Sequence, residues 1–193
     1  MRKTFIIRFY DLTISILIAV IFSPIILIIF FICSFDSGSP LFIQKRIGKN
    51  KKPFNLIKFR TMKVNTPSVA THLVNTQLIT RFGRIIRFLK LDEFPQIINV
   101  IRGEMSLVGP RPCLSNQLDL IKYRDDLNIF SVRPGLTGLA QIKGVDMSNP
   151  KKLAKIDREM ITSFNQINYF KYLLFTFFGK GIGDNLKINM RKK

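Results

Sequence analysis

Apolar residues fall along this chain in three patterns, and each predicts a different element. From Leu12 to Phe35 the chain runs 24 residues without a charge, fenced by Asp11 and Asp36. As a helix rising about 1.5 Å per residue it would be roughly 36 Å long, enough to cross a hydrocarbon core of about 30 Å. The run exceeds a typical signal-peptide core, and no small-x-small cleavage site follows it. It reads as a permanent membrane element. Pro24, after Ser23, sits at its centre. Proline has no N–H, so the Val20 carbonyl loses its helical partner and the helix kinks. The Ser23 hydroxyl can bond back to the preceding turn and ease that loss.

The second pattern is short. Leu41–Ile47 and Phe54–Phe59 are apolar-rich runs joined by Gly48-Lys-Asn-Lys-Lys52, which predicts a hairpin with a basic loop. The third is helical. Phe82, Ile85, Ile86 and Leu89 recur at i, i+3, i+4 and i+7, predicting a helix over Thr80–Leu91. Arg81, Arg84, Arg87 and Lys90 recur every three residues on another face. That row is either a solvated face above a core stripe, or the polar side of an interfacial helix on anionic lipid or phosphate. A second helix is expected over Asp92–Ile101, with Pro95 in its first turn and Ile97, Ile98 and Ile101 on its apolar face. Phe164–Phe178 is aromatic-rich but contains Lys171 and is too short to span, so it predicts an interface-lying or core-packed helix. Asp36–Pro40 reads as a turn and Val64–Thr80 as a mobile segment. Ser106–Pro112 and Arg133–Gly138 read as Gly/Pro loops. The fold class expected is α+β, mostly helical with a small β-hairpin and interfacial amphipathic helices.

Composition narrows the function. The 193 residues suit one compact unit and carry 31 basic and 12 acidic side chains, a net charge of +19. An apolar share of 47% excludes a disordered polybasic tail. His72 is the only histidine, which excludes His-rich metal sites. Cys33 and Cys113, 80 positions apart, exclude a zinc ribbon and a disulfide scaffold. The charge demands acidic partners: nucleic acid, anionic lipid or phosphorylated small molecules.

Charge also bears on topology. Arg2, Lys3 and Arg8 precede the uncharged run; Lys45, Arg46, Lys49, Lys51 and Lys52 follow it. Basic flanks stay in the cytoplasm. Applied to both sides, that rule describes a re-entrant helix, residues 1–36, which bends at Ser23-Pro24 and returns to the same face. Each half would reach about 18 Å. The competing arrangement is a kinked single-pass anchor with its short N-terminus outside. Residues 37–193 would form one catalytic unit on the cytoplasmic face.

Acids are scarce, and only two adjacent pairs occur, Asp92-Glu93 and Asp125-Asp126. The second lies in a polar stretch, Tyr123–Leu127, expected to be solvated. The first would open a helix behind the Arg/Lys row, and both the helix N-terminus and the cations should lower its pKa values. An ionised carboxylate can attack phosphorus while its neighbour holds Mg²⁺. Acids also open helices for stability alone. In Gly109-Pro-Arg-Pro112 two prolines fix the direction of Arg111, whose planar fork suits phosphate oxygens. Arg133-Pro-Gly-Leu-Thr-Gly138 repeats the idea, with glycine N–H groups able to approach an anion.

Taken in order, six blocks resemble one family, the bacterial sugar transferases, or small monotopic phosphoglycosyl transferases. They are Ser23-Pro24, Lys58-Phe-Arg-Thr-Met62, Thr80-Arg-Phe-Gly-Arg84, Leu91-Asp-Glu-Phe-Pro-Gln96, Met105-Ser-Leu-Val-Gly-Pro-Arg-Pro112 and Arg133-Pro-Gly-Leu-Thr-Gly138. The resemblance implies transfer of a sugar phosphate from a UDP-sugar to undecaprenyl phosphate with release of UMP, at the inner membrane of a bacterium. It implies a re-entrant helix, Asp92 as nucleophile, Glu93 as Mg²⁺ ligand and Arg111 as leading phosphate ligand. Lys58, Arg87 and Asp157 match further site positions. Three positions depart from the family's habit: Leu139 where Trp is frequent, Met160 where Tyr is common and Tyr169 where Asp is frequent. None touches the acid pair; they bear on sugar preference and C-terminal packing. Against this stand a polybasic membrane-surface scaffold and a nucleic-acid binder. No nucleic-acid-binding motif is present, and most aromatic residues sit within apolar runs rather than as base-stacking platforms, so no specific nucleic-acid partner is expected.

Overall fold

The computed structural model describes residues 2–64, 66 and 78–178, with side chains from residue 5 onward. The uncharged run forms two helices, α1 (Arg2–Ile21) and α2 (Ser23–Ser37), bent by 67° about Phe22. The bend has a local cause. Pro24 lies in the first turn of α2, where its missing N–H leaves no intrahelical bond unmade. The Ser23 hydroxyl donates to the Val20 carbonyl at 2.8 Å, the acceptor that proline deprives. Gly38 ends α2 at φ 78°, where its N–H reaches the Ser34 carbonyl. No single helix among the described residues is long and apolar enough to cross a membrane, but the bent pair together passes that test. Its outer faces are uncovered: Leu17, Val20, Ile21, Leu27, Ile28, Phe31 and Phe35 are all exposed.

Polar anchors tie α1 to the rest of the chain. The Arg8 guanidinium donates to the Val100 and Ile101 carbonyls at 2.6 and 2.9 Å. Asp11 is only 1% exposed. Its Oδ1 accepts from the Ser106 hydroxyl, the Leu107 N–H and the Tyr169 hydroxyl, at 3.0, 2.9 and 2.9 Å. A carboxylate taken out of water needs that many donors to persist.

The hairpin forms as expected. β1 (Leu41–Ile47) pairs antiparallel with β2 (Pro53–Phe59), in register from Leu41 opposite Phe59 to Ile47 opposite Pro53. The basic loop turns through Asn50 and Lys51, both at positive φ. The periodic segment forms α3 (Arg81–Phe88), capped by the Thr80 hydroxyl, which accepts from the Gly83 N–H. Of its apolar face only Ile86 is buried; Phe82, Ile85, Phe88 and Leu89 are exposed.

The helix expected from Asp92 onward starts later. Lys90 takes a left-handed conformation, Leu91–Glu93 make a tight 3₁₀ turn, and α4 begins only at Gln96 (Gln96–Ile101). The acid pair therefore lies on a turn between two helices. Asn99 of α4 is wholly buried and clamps β2: it accepts from the Ile57 N–H and donates to the Asn55 carbonyl.

Both Gly/Pro segments expected as loops contain strands. β3 (Ser106–Val108) and β4 (Gly135–Thr137) pair in parallel, Ser106 opposite Gly135 and Val108 opposite Thr137. Glycine permits the approach. A Cβ on Gly135 would lie 2.0 Å from the Gly109 nitrogen, and one on Gly138 2.4 Å from the Gly109 oxygen. Gly135→Ala should therefore destabilise the protein by about 3 kcal/mol, since backbone cannot yield as a side-chain tip can. A denaturant midpoint equal to wild type would contradict that packing.

Helices α5 (Leu118–Asp126), α6 (Leu139–Ile142), α7 (Pro150–Thr162) and α8 (Gln166–Phe177) follow among the described residues. One core gathers Phe54, Leu56, Val100, Met105, Leu107, Met160 and Tyr169; a second joins Cys113, Leu120, Phe130 and Leu153; a third sets Ile29 and Cys33 of α2 against Phe59 and Ile86. Met160 and Tyr169, two of the departures from the family's habit, thus fill the interior. Most of the segment expected to be mobile, and His72 with it, lies outside the described residues.

Candidate active site

Three elements bring charged side chains to the turn Leu91–Glu93. Lys58 reaches in from β2, Arg87 from the last turn of α3 and Arg111 from the segment after β3. Glu93 Oε1 receives both the Arg111 guanidinium at 2.8 Å and the Lys58 ammonium at 3.2 Å. Asp92 beside it is buried, with 9% of its surface exposed. Phe94, the next residue, stacks on Phe22 at the bend between α1 and α2, with ring centroids 5.3 Å apart. The bend and the acid pair are thereby neighbours.

The two carboxyls titrate in opposite directions. Burial works against the charge on Glu93, yet Arg111 and Lys58 outweigh it and hold the group below the usual carboxylate range. Asp92 goes the other way. Burial pushes its carboxyl up, Lys58 opposes, Glu93 adds to the rise, and Arg87 and Arg111 pull it down again. The expectation that both values would fall is corrected for Asp92. Desolvation there exceeds the pull of the cations, and the helix N-terminus invoked for it does not exist at that residue.

Arg111 is held from behind. The Arg124 guanidinium donates to the Arg111 carbonyl at 2.8 Å and the Arg46 guanidinium to the Pro112 carbonyl at 3.1 Å. Arg124 is itself fixed by Asp157, whose Oδ2 accepts from Nε and one terminal nitrogen at 3.0 and 2.7 Å. Both side chains are almost fully buried. Burial raises the Asp157 carboxyl against the opposing charge of Arg124. Asp157 is therefore a support for the Arg111 segment and does not face a ligand. Reading Tyr123–Leu127 as solvated holds for Asp125, which meets Lys51 on the surface, and fails for Arg124. Its helical spacing to Leu120, a buried residue, was the available signal.

Arg133 lies elsewhere. Its Nε donates to the Gly103 carbonyl at 2.8 Å, and the residue lines a separate cavity that neither Asp92, Glu93, Lys58, Arg87 nor Arg111 borders. Of the two glycines in the Arg133–Gly138 loop, Gly135 has its N–H engaged by the Pro110 carbonyl. Of the residues expected at the site, Asp92, Glu93, Lys58, Arg87 and Arg111 converge; Asp157 and Arg133 do not.

This arrangement can bind a doubly charged phosphate and offer it a carboxylate nucleophile. Among the described residues no three His, Cys, Asp or Glu side chains cluster as a preformed metal cage. A magnesium ion is commonly held by one or two carboxylates, with water and substrate phosphates filling the remaining positions. The Asp92-Glu93 pair offers that number of carboxylates.

Comparison with known proteins agrees with the geometry. Residues 2–180 match the family model of bacterial sugar transferases. The chain is 40% identical over 151 residues to an uncharacterized sugar transferase of Bacillus subtilis (strain 168), EpsL, covering 78% of this chain and 74% of that one. It is 39% identical over 143 residues to a UDP-glucose:undecaprenyl-phosphate glucose-1-phosphate transferase of Caulobacter vibrioides, covering 72% and 54%. To an undecaprenyl-phosphate galactose phosphotransferase of Salmonella typhimurium the identity is 36% over 155 residues, covering 71% and 32%. The chain thus spans about a third of the Salmonella protein, about half of the Caulobacter one and about three quarters of the Bacillus one.

Proposed function

The chain belongs to the bacterial sugar transferase family, and from that premise we propose that it moves a sugar phosphate from a UDP-sugar to undecaprenyl phosphate, in the synthesis of a surface polysaccharide. The observation that carries the reading is the pairing of a shielded, basic Asp92 with a Glu93 kept charged by Lys58 and Arg111.

In the first step an Asp92 oxygen attacks the phosphorus that bears the sugar. The bond from that phosphorus to the bridging oxygen breaks, and UMP leaves. Asp92 is then esterified by the sugar phosphate. In the second step an oxygen of undecaprenyl phosphate attacks the same phosphorus and frees the Asp92 carboxylate. Burial serves this chemistry because a desolvated carboxylate is the stronger nucleophile. Arg111 and Lys58 neutralise charge on the transferring group, which is the main requirement of phosphoryl transfer. Glu93 would hold Mg²⁺, which supplies further neutralisation of the phosphate oxygens. Splitting the transfer in two keeps the anionic nucleotide and the anionic lipid from sharing the pocket.

On this reading the bent pair α1–α2 is a re-entrant membrane element, with the body on the cytoplasmic face of the inner membrane. Support comes from the 67° bend, the basic flanks and the uncovered apolar face of α3 beside exposed Arg81 and Arg84. On that placement α3 lies on anionic lipid.

Purified protein with Mg²⁺ and its UDP-sugar, without acceptor, should release one UMP per active site, and add the mass of a sugar phosphate to the chain. UMP release that strictly requires undecaprenyl phosphate would remove the two-step reading. Topology is tested in a background without Cys33 and Cys113. Thr4→Cys and Pro40→Cys should both resist an impermeant thiol reagent applied outside intact cells. Labelling of the Thr4→Cys protein alone would mean that the helix crosses.

A further inference from the structure

The cavity bordered by Arg133 joins positive charge to an apolar wall. It measures about 620 Å³, within the range of small-molecule pockets, and its walls are mainly apolar. Ile7, Ile161, Phe164 and Ile167 supply the apolar part; Arg8, Arg133 and Lys49 supply the charge. Asp11 is the one acid on the wall, and its Oδ1 already takes three hydrogen bonds. The two arginines lie close enough that Arg133 repels Arg8. Each guanidinium keeps donors beyond those it spends on backbone carbonyls. Asn165, Gln166 and Ile167, the start of the 12-residue α8, also border the space, so a helix N-terminus adds to its positive potential. A cavity with three cations, a greasy wall and a single acid held by three hydrogen bonds matches an amphiphile with an anionic head.

Its place in the chain makes that amphiphile a membrane lipid. Ile7, Arg8 and Asp11 immediately precede the uncharged run, so on the membrane placement proposed above, on which this inference rests, the cavity opens at the lipid–water boundary. We infer that it binds the phosphate of a lipid between Arg8 and Arg133, with the first methylenes of the chain against Ile161 and Phe164. Gly109 and Pro110 form part of the same wall. The occupant therefore abuts the backbone that continues into Arg111, and it belongs to a site separate from the acid pair. The lipid is either a bulk phospholipid or the polyprenyl acceptor waiting behind the active segment.

The test uses full-length protein in phosphatidylcholine nanodiscs, with a trace of phosphatidylglycerol that carries a photoreactive diazirine in its acyl chain. After irradiation, peptides holding Ile7–Asp11 and Ile161–Ile167 should carry the label. A phosphatidylcholine probe should label them at least tenfold less. Displacement by undecaprenyl phosphate at a concentration at which unlabelled phosphatidylglycerol leaves the label in place identifies the acceptor; equal potency of the two identifies a bulk phospholipid. Arg8→Gln/Arg133→Gln should reduce labelling at least tenfold, and Arg8→Lys/Arg133→Lys should restore most of it. Equal labelling by both probes, or label that resists both competitors, overturns the site, and neither comparison depends on a variant that folds. UMP release is measured in parallel. Intact release without selective labelling removes this cavity site alone, and selective labelling without release removes the catalytic reading alone.

Discussion

Asp92→Asn is expected to reduce UMP release by about 10⁴-fold or more, the scale on which removal of a nucleophile acts. The amide has the same shape but no charge and no useful nucleophilicity. Because burial already works against the charge on Asp92, the variant should fold and keep its affinity for the UDP-sugar. Intact-mass measurement after incubation with donor should then show an unmodified chain, where wild type carries the sugar phosphate. Activity within tenfold of wild type would exclude Asp92 as the attacking group. Glu93 makes the opposite contrast: its Oε1 anchors two cations, so Glu93→Gln disturbs their positions as well as the charge.

Arg124→Met is the largest expected loss of stability. It leaves Asp157 buried without its counter-ion, and breaking such a pair costs about 3–5 kcal/mol. The sign of its pH dependence follows. Burial raises the folded Asp157 carboxyl above its unfolded value, and the variant removes the charge that opposes this. A raised folded pKa means that the native state binds the extra proton, so stability is present at low pH and lost as pH rises through that pKa. The deficit of Arg124→Met should therefore shrink on acidification. Adding Asp157→Leu should recover most of the denaturant midpoint. It should not recover full activity, because the Arg111 carbonyl still lacks its donor. A double variant restored in both respects would show that the pair does not position Arg111.

What the chain reveals before folding depends on the range of the interaction. The Ser23-Pro24 break, the hairpin and α3 arise from neighbours within a few residues, through a missing N–H, an alternation and a 3.6-residue period. They are legible at close to their observed bounds. The acid pair and Arg111 are legible through short motifs. β3 and β4 are not, because strands of three residues carry no period and their partner lies nearly thirty positions away. Arg124 was misjudged, and Asp11 was read only as a fence of the uncharged run, for a related reason. Charged residues are expected outside, and only distant groups, Asp157 in one case and Ser106, Leu107 and Tyr169 in the other, make their burial tolerable. The rise at Asp92 was missed because nearby cations are visible in a sequence and desolvation is not.

Asp11 also sets an order of events during biosynthesis. It leaves the ribosome well before its partners: Ser106 and Leu107 appear some 95 positions later and Tyr169 another sixty after that. Until then the acid remains hydrated, and α1 cannot settle into its final seat. Docking of α1 is thus deferred until Tyr169 has emerged, and the nascent helix must wait for the residues that will hold it.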